Sequence, residues 1–530
     1  MELAIAAPMS PKPTIPTVVL SPEIAAPRPL APPDILVIRP SSVLDASPLP
    51  NYARNFRLRS PPRYREAGSF QPCVSFDVIV NVEHTTPSTA APALVAPVDR
   101  ESAGRAYEWY VLGLLVLIYI MGTVDRAVLS VIAEPLKLEF HLSDKQLGVL
   151  TGAAYSLTYA LAVLPMGWLI DRMDRRALLS VTITIWSLLT AACAMSSSFI
   201  MLVVARMGVG AAEAPVMPAS LSLIADVIPK GQRNTAISIY VSGAAVGQIL
   251  IFILGGWLLM HFDWRRVFLV AGGPAALLAA LFYFTTREPQ RGALDADLRA
   301  VSPNAPKDPP RNLTKLIRAI LGNTALCLAI LGYTLVTGVG YSVTVWITSF
   351  LVRVHGMTVG QGAIWAGVGF GLCMTVGSLL AGPLADRLSD GDQRRVAIIP
   401  AVTTVLGAGA GTVMSLANGW VLSIAGLSVF ALMAGFFIST ATSLVLSLAA
   451  PSERGITMAA NRLVSILLGT GLIPVMTGAI SDAIGGAGSI RPALLFTTAL
   501  LPLCTICYAM IYRLLPRKEQ QAGMARQYPG

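Results

Sequence analysis

GWLIDRMDRR (167–176) and GPLADRLSDGDQRR (382–395) are two versions of one phrase, and their reading decides the fold. Each runs Gly-x-Leu-x-Asp-Arg and ends in an arginine pair, and each follows an apolar stretch. Asp171 and Asp386 lie 215 positions apart. A second landmark repeats at almost the same spacing, because PKGQR (229–233) and PSER (451–454) begin 222 apart. Two unrelated landmarks at nearly one offset indicate an internal six-plus-six duplication, which places a site near the midplane between the halves.

Working outward from these loops, twelve stretches are apolar and long enough to cross a bilayer, which takes roughly 20 helical residues. They are 107–131, 145–170, 177–196, 199–226, 234–260, 266–286, 323–350, 358–385, 396–416, 420–448, 454–482 and 492–514. The expected fold is all-α: a polytopic membrane protein of twelve transmembrane helices in two pseudo-symmetric six-helix bundles, 105–286 and 317–516. A polar segment, 287–316, joins them, and 517–530 forms a tail. Composition agrees. The chain is 54% hydrophobic and 13% charged, against roughly 25% charged for soluble domains. A cytosolic enzyme is excluded. The net charge of +10 comes without a basic stripe interleaved with aromatics, so nucleic acid is not an expected partner.

An even number of spans puts both ends on one side. Loops on that side carry Arg172, Arg175, Arg176, Lys230, Arg233, Arg387, Arg394, Arg395, Arg454 and Arg517, whereas the opposite loops carry mainly Lys137, Lys145, Arg265, Arg266 and Arg353. The positive-inside rule therefore assigns both termini to the cytoplasm, with a bacterial inner membrane as the expected location. Residues 1–104 hold 18 of the 37 prolines, too dense for stable helix or central strand. They read as a disordered cytoplasmic tail or an over-extended gene start. Their cluster Arg54, Arg57, Arg59, Arg63 and Arg65 could alternatively meet anionic lipid.

Residues 105–516 resemble the major facilitator superfamily. The loop signature matches at Gly167, Leu169, Asp171, Arg172, Arg175 and Arg176, with Asp174 where the family has glycine. The second copy inserts residues between Arg387 and Arg394. DRAVLS (125–130), RMGVGAAEAP (206–215) and PKGQR resemble the Spinster-like branch, and the anion:cation symporter branch shares very similar motifs. The resemblance implies a secondary transporter working by alternating access, with the loop pair Gly167–Arg176 and Asp386–Arg394 as a cytoplasmic gate. Asp171 is expected to face the start of span 11 near Ser452. Arg175 is expected to reach Asp226 when the cytoplasmic side is closed.

The chemistry belongs where charge is expensive. A charged side chain at mid-bilayer costs at least ~2.5–3.5 kcal/mol, so intramembrane ions are functional candidates. The first half offers Asp125, Arg126, Arg206 and Glu213. Arg206 and Glu213 are seven apart, two turns on one face, and all four share one cavity if spans 1 and 4 adjoin, as the family fold implies. With both acids ionised the cluster is neutral; protonating either frees an arginine for an anion. In both resembling branches the matching Asp and Glu are associated with proton coupling, so Asp125 and Glu213 are expected to carry it and Arg126 and Arg206 to bind substrate. Tyr333, Thr337, Tyr341 and Thr344 follow helical spacing and could line the site or simply pack helix on helix. Asn461, Arg462 and Ser465 on span 11, and Tyr155 and Tyr159 on span 2, complete the candidates.

The expected substrate is a small organic anion moved with protons; the alternatives are an amphiphilic lipid (lysolipid or sphingoid-like) or a non-transporting receptor that kept the fold. Membrane lipids surround the protein, which is expected to be a monomer. GVGAAE (208–213) imitates a dinucleotide fingerprint but lacks its third Gly and its strand, and Cys504 and Cys507 form a CxxC inside an apolar run; no cofactor and no metal are expected. Gly243 and Gly247 read as close helix packing.

Overall fold

In the computed structural model the described residues are 100–291, 321–389, 393–449 and 453–515. Residues 1–99 and 516–530, most of the 287–316 segment, and Ser452 lie outside them, as does the side chain of Asp386. Twelve helices are long and apolar enough to cross a membrane. They are α1 (Arg105–Phe140), α2 (Asp144–Arg172), α3 (Arg175–Ala194), α4 (Phe199–Val227), α5 (Lys230–His261), α6 (Trp264–Thr285), α7 (Thr324–His355), α8 (Val359–Ala385), α9 (Arg394–Leu416), α10 (Trp420–Leu448), α11 (Arg454–Ile484) and α12 (Ala487–Leu514). All twelve expected spans are present, in two six-helix bundles.

Short polar caps punctuate the apolar text. Ser143 and Gln146 form a capping box at the start of α2, as Thr358 and Gln361 do for α8. Asp174, Ser198 and Asn323 cap α3, α4 and α7 through their side chains. Each satisfies a backbone N–H that the first helical turn leaves orphaned. One boundary differs clearly from expectation. The first helix starts at Arg100, inside the expected tail, and continues through Pro135 to Phe140. The extra turns are held by tertiary contacts: Ile132 and Leu136 are fully buried, and Glu134 and Lys137 find partners on other helices.

Glycines set how closely the helices cross. A Cβ on Gly247 would stand 2.7 Å from the Ile120 carbonyl oxygen, so α5 lies backbone to backbone on α1, the packing its spacing implied. Where α2 meets α11, a Cβ on Gly148 would come within 2.7 Å of the Pro474 carbonyl. Both helices carry a π-turn there, at Val149–Ala153 and Ser465–Leu472, and α8 carries one at Gly367–Leu372. Such turns widen the helix locally and are frequent at functional positions.

The bundles meet unevenly. On the face opposite Arg105 and Leu514, here the distal face, α2 packs on α11, α5 on α8 and α1 on α7. Toward the face where Arg105 and Leu514 lie, here the terminal face, the second half of α4 and the first half of α11 pack mainly within their own bundles. The molecule is closed at the distal face and parted at the terminal face.

Candidate functional site

Asp125 and Arg126 are neighbours on α1, so their side chains leave the helix about 100° apart. That single step sorts the four intramembrane charges into two pairs. Asp125 turns to Arg206 of α4, whose η nitrogens reach its carboxylate at 3.2 and 3.3 Å and its carbonyl at 3.1 Å. Thr190 of α3 donates to the same carboxylate at 2.5 Å. Arg126 turns the other way to Glu213, two turns along α4, at 2.8 Å, and Tyr155 of α2 donates to the same Glu213 oxygen at 2.7 Å.

The pairs live in different surroundings. Asp125 and Arg206 are sealed, with side chains 0% and 1% exposed. Arg126 is 25% exposed while Glu213 is 1%. An ion pair without water tolerates the desolvation cost only when its hydrogen bonds are filled. Asp125 comes close to that state. Glu213 does not, since its second oxygen, Oε1, is buried without a partner.

A small cavity opens beside this second pair. Two cations line it, Arg126 from α1 and Arg462 from α11, together with Glu213. Tyr119 and Tyr159 supply phenols, and Ile118, Trp186, Val216 and Met217 form an apolar wall. Arg462 is exposed into this space. Its guanidinium has no carboxylate partner and no hydrogen bond among the described residues. Nearby groups with which it interacts electrostatically are Tyr159, Tyr119, Tyr333 and Arg126.

Several expectations need correction. The four charges do not share the cavity: Asp125 and Arg206 are enclosed away from it, and Arg206 is occupied by Asp125. The α7 stripe is turned to packing. Thr337 and Thr344 donate back to the carbonyls of Tyr333 and Gly340, and Tyr341 donates across the bundles to the Thr151 carbonyl in the α2 π-turn at 3.0 Å. Tyr333 is buried against Phe437. Tyr155 serves Glu213, whereas Tyr159 lines the cavity. Asn461 is buried with an unpartnered side-chain oxygen.

The repeated loops are also rearranged. Arg175 pairs with Asp226 at 2.6 Å, as expected, yet it does so with the terminal face parted, so the pair does not mark that face being shut. It also binds Glu288 at 2.7 Å and Ser222 at 2.7 Å. Arg176 donates from its backbone to Glu288 and from its side chain to the Thr286 carbonyl. The expected joining segment thus begins by docking on the first bundle, and Arg291 adds bonds to the carbonyls of Ile170, Asp171 and Met173. The Asp171 carboxylate is exposed, and Arg172 stacks over Trp168 at 4.0 Å. Gly167 touches nothing that a Cβ would meet. Arg387 is exposed, and Arg394 caps the Tyr512 carbonyl at 3.0 Å.

The lock across the bundles sits on the distal face, where sequence reading placed only loop cations. Arg353 of α7 reaches Glu134 of α1 at 2.9 Å and Asp144 of α2 at 2.8 Å. Lys137 also holds Asp144, as does the Ser481 hydroxyl at 2.6 Å. Asp482 of α11 accepts from the backbone N–H groups of Asp144 and Lys145, both at 2.8 Å. The usable signal was the recurrence of acids at the distal ends of spans 1, 2 and 11 opposite one arginine.

Twelve spans in two bundles, parted at one face and locked at the other around a charged central cavity, have the architecture of a secondary membrane transporter. The family model of the Major Facilitator Superfamily matches residues 115–460 and again 360–528, and the chain belongs to that superfamily. It is 26% identical over 435 residues to the D-galactonate transporter of Escherichia coli O6:H1, covering 78% of this chain and 97% of that protein. It is 25% identical over 414 residues to an MFS-type efflux pump of Mycolicibacterium smegmatis, covering 77% and 93%. A bacterial homologue of the human lysosomal transporter Spinster, solved inward-facing and unoccupied, superposes with a TM-score of 0.69 at 27% identity, covering 77% of this chain and 97% of that one.

Proposed function

We propose that the protein is a proton-coupled symporter of a small organic anion, with both termini cytoplasmic and the present conformation inward-facing. The observation that carries this reading is Arg462: a guanidinium without a carboxylate partner, facing a cavity whose only other cation, Arg126, is balanced by Glu213. With Glu213 ionised the cavity holds one net positive charge, an invitation to a monoanion. When Glu213 takes a proton, Arg126 is released from its ion pair and both arginines can hold the anion. Proton and monoanion together add no net charge, so the loaded and empty carriers meet the same electrostatic barrier when the bundles rock. The relatives that carry galactonate and the loop arginines on the terminal side support the substrate class and the orientation.

Asp125 and Arg206 act in this reading as the buried counterpart, sealed while the cavity faces the cytoplasm and available only after rearrangement. The distal lock of Arg353, Glu134, Asp144 and Asp482 must open for uptake from outside. The test is reconstitution in proteoliposomes with an imposed pH gradient and a panel of organic anions and lysolipids. Glu213→Gln should keep exchange of internal for external substrate but lose gradient-driven accumulation. Arg126→Ala should lower binding at least tenfold. Gradient-driven accumulation at the wild-type level in both Asp125→Asn and Glu213→Gln would overturn coupling.

A further inference from the structure

Sugar acids are the obvious anions to try, yet the cavity is poorly furnished for them. Every carbon of a sugar acid beyond its carboxylate carries a hydroxyl, and each hydroxyl buried without a partner lowers affinity by about ten- to a hundredfold. Beyond its charged groups, the cavity offers only the hydroxyls of Tyr119 and Tyr159 and the unpartnered indole N–H of Trp186. The α7 hydroxyls of Thr337, Tyr341 and Thr344 already donate their hydrogens within the protein and are left as acceptors only. Thr337 bonds to Tyr333 and Thr334, Thr344 bonds to Gly340, and Tyr341 bonds to Thr151.

What the cavity offers instead is apolar and aromatic surface held rigidly. Tyr119 stacks on Tyr240 with ring centroids 4.6 Å apart, and Tyr159 stacks on Tyr155 at 5.7 Å. Trp186 is fixed in the wall by complete burial, and Ile118, Val216 and Met217 fill the remaining side. Rings already stacked on neighbours pay little ordering entropy when a ligand arrives. The charges therefore gather at the Arg126, Glu213 and Arg462 side chains, while the rest of the surface suits a body that makes few hydrogen bonds.

We infer that the favoured substrate is an amphipathic monocarboxylate, with one anionic head and a compact aryl or branched-alkyl body, rather than a polyhydroxylated acid. The inference rests on the anion reading above and narrows it. Arg126 and Arg462 face the carboxylate, Glu213 Oε1 is the open acceptor or proton carrier beside it, and the Tyr119 and Met217 surface, backed by buried Trp186 and Val216, receives the body.

The experiment is equilibrium binding of tritiated 3-phenylpropionate to the full chain in lipid nanodiscs, with empty nanodiscs subtracted, competed by unlabelled benzoate, galactonate or lysophosphatidylcholine. Benzoate should displace the probe at least tenfold more strongly than galactonate. Arg462→Gln should weaken probe binding at least tenfold. Met217→Gln, which adds an amide to the wall, should weaken the probe several-fold while improving galactonate. Galactonate competing as well as benzoate would overturn the inference and leave the anion reading standing. Displacement by lysophosphatidylcholine alone, with Arg462→Gln unchanged, would overturn both. Absence of saturable probe binding to a monodisperse wild-type protein would overturn the inference as well.

Discussion

Two buried arginines are each gripped by two carboxylates, one at either face of the molecule. Arg353 holds Glu134 and Asp144 at the distal face, and Arg175 holds Asp226 and Glu288 at the terminal face. Their chemistry is nearly the same. What differs is ownership: Arg353 belongs to the second bundle and both its acids to the first, whereas Arg175 and its acids all belong to the first bundle and the few residues that follow it. A bond made inside a rigid body cannot favour one arrangement of two bodies over another. Of these two clusters, only the distal one can bias the conformational equilibrium.

The sharpest way to break the comparison is Arg353→Ala. Its removal leaves Glu134 and Asp144 facing each other with Lys137 as the remaining charge partner. Stripping one member from a buried ion cluster costs about 3–5 kcal/mol, and here the cost falls only on the state closed at the distal face. A preference of that size shifts the two-state population by roughly a hundredfold or more. Spin labels at Leu138→Cys and Ala487→Cys, in a background lacking native cysteines, should report a longer distal distance in the variant. An unchanged distance distribution would show that packing of α2 on α11 and α5 on α8 holds the face without the ions.

The matching substitution on the other face, Arg175→Ala, should behave differently. It removes the buried guanidinium from Asp226 and Glu288, which are partly exposed, and Glu288 keeps the Arg176 N–H, so a loss of about 1–3 kcal/mol in stability is expected. The melting temperature should fall while the distal distances stay as in the wild type. A shift in those distances would mean that Arg175 acquires a partner across the bundles in the other conformation, and the comparison would then fail.

The terminal network was legible because its residues are consecutive: GWLIDRMDRR carries its meaning in local spacing, and its repeat confirms it. The pairing of Arg175 with Asp226 followed from placing both at one end of adjacent spans. The role of Glu288 and Arg291 was hidden because a short polar segment after a span reads as a tether whether or not it docks. The distal lock was less legible still. Arg353 lies 219 positions from Glu134 and 209 from Asp144, and no local pattern joins them. At the centre, the cost of intramembrane charge singled out four residues that the structure joins in two ion pairs. Their division into a sealed pair and an open one depends on the one-residue turn between Asp125 and Arg126, which spacing alone leaves undecided until α1 is set against α4. The α7 hydroxyls kept their periodicity and lost their expected role, because a Thr inside a helix can satisfy itself on the preceding turn.

The smallest effect expected, and the finest probe of the distal seam, is Asp482→Asn. Asp482 lies at the end of α11 and accepts two bonds at 2.8 Å, one oxygen from the Asp144 N–H and the other from the Lys145 N–H. Those are first-turn donors of α2, where the positive end of the helix also favours a negative charge. Asparagine keeps one oxygen as an acceptor and replaces the other with an amide nitrogen that cannot accept. The variant therefore loses one hydrogen bond and the charge–dipole term but keeps the shape. Because the carboxylate is exposed, the two together amount to about 1 kcal/mol, a shift of roughly fivefold toward the distally open state. The same pair of spin labels should show a minor long-distance population that grows in Asp482→Asn and grows further in Asp482→Ala. Equal behaviour of the two variants would assign the whole effect to the charge, and a wild-type distribution in both would remove α11 from the lock, leaving Arg353 to hold the distal face through α1 and α2 alone.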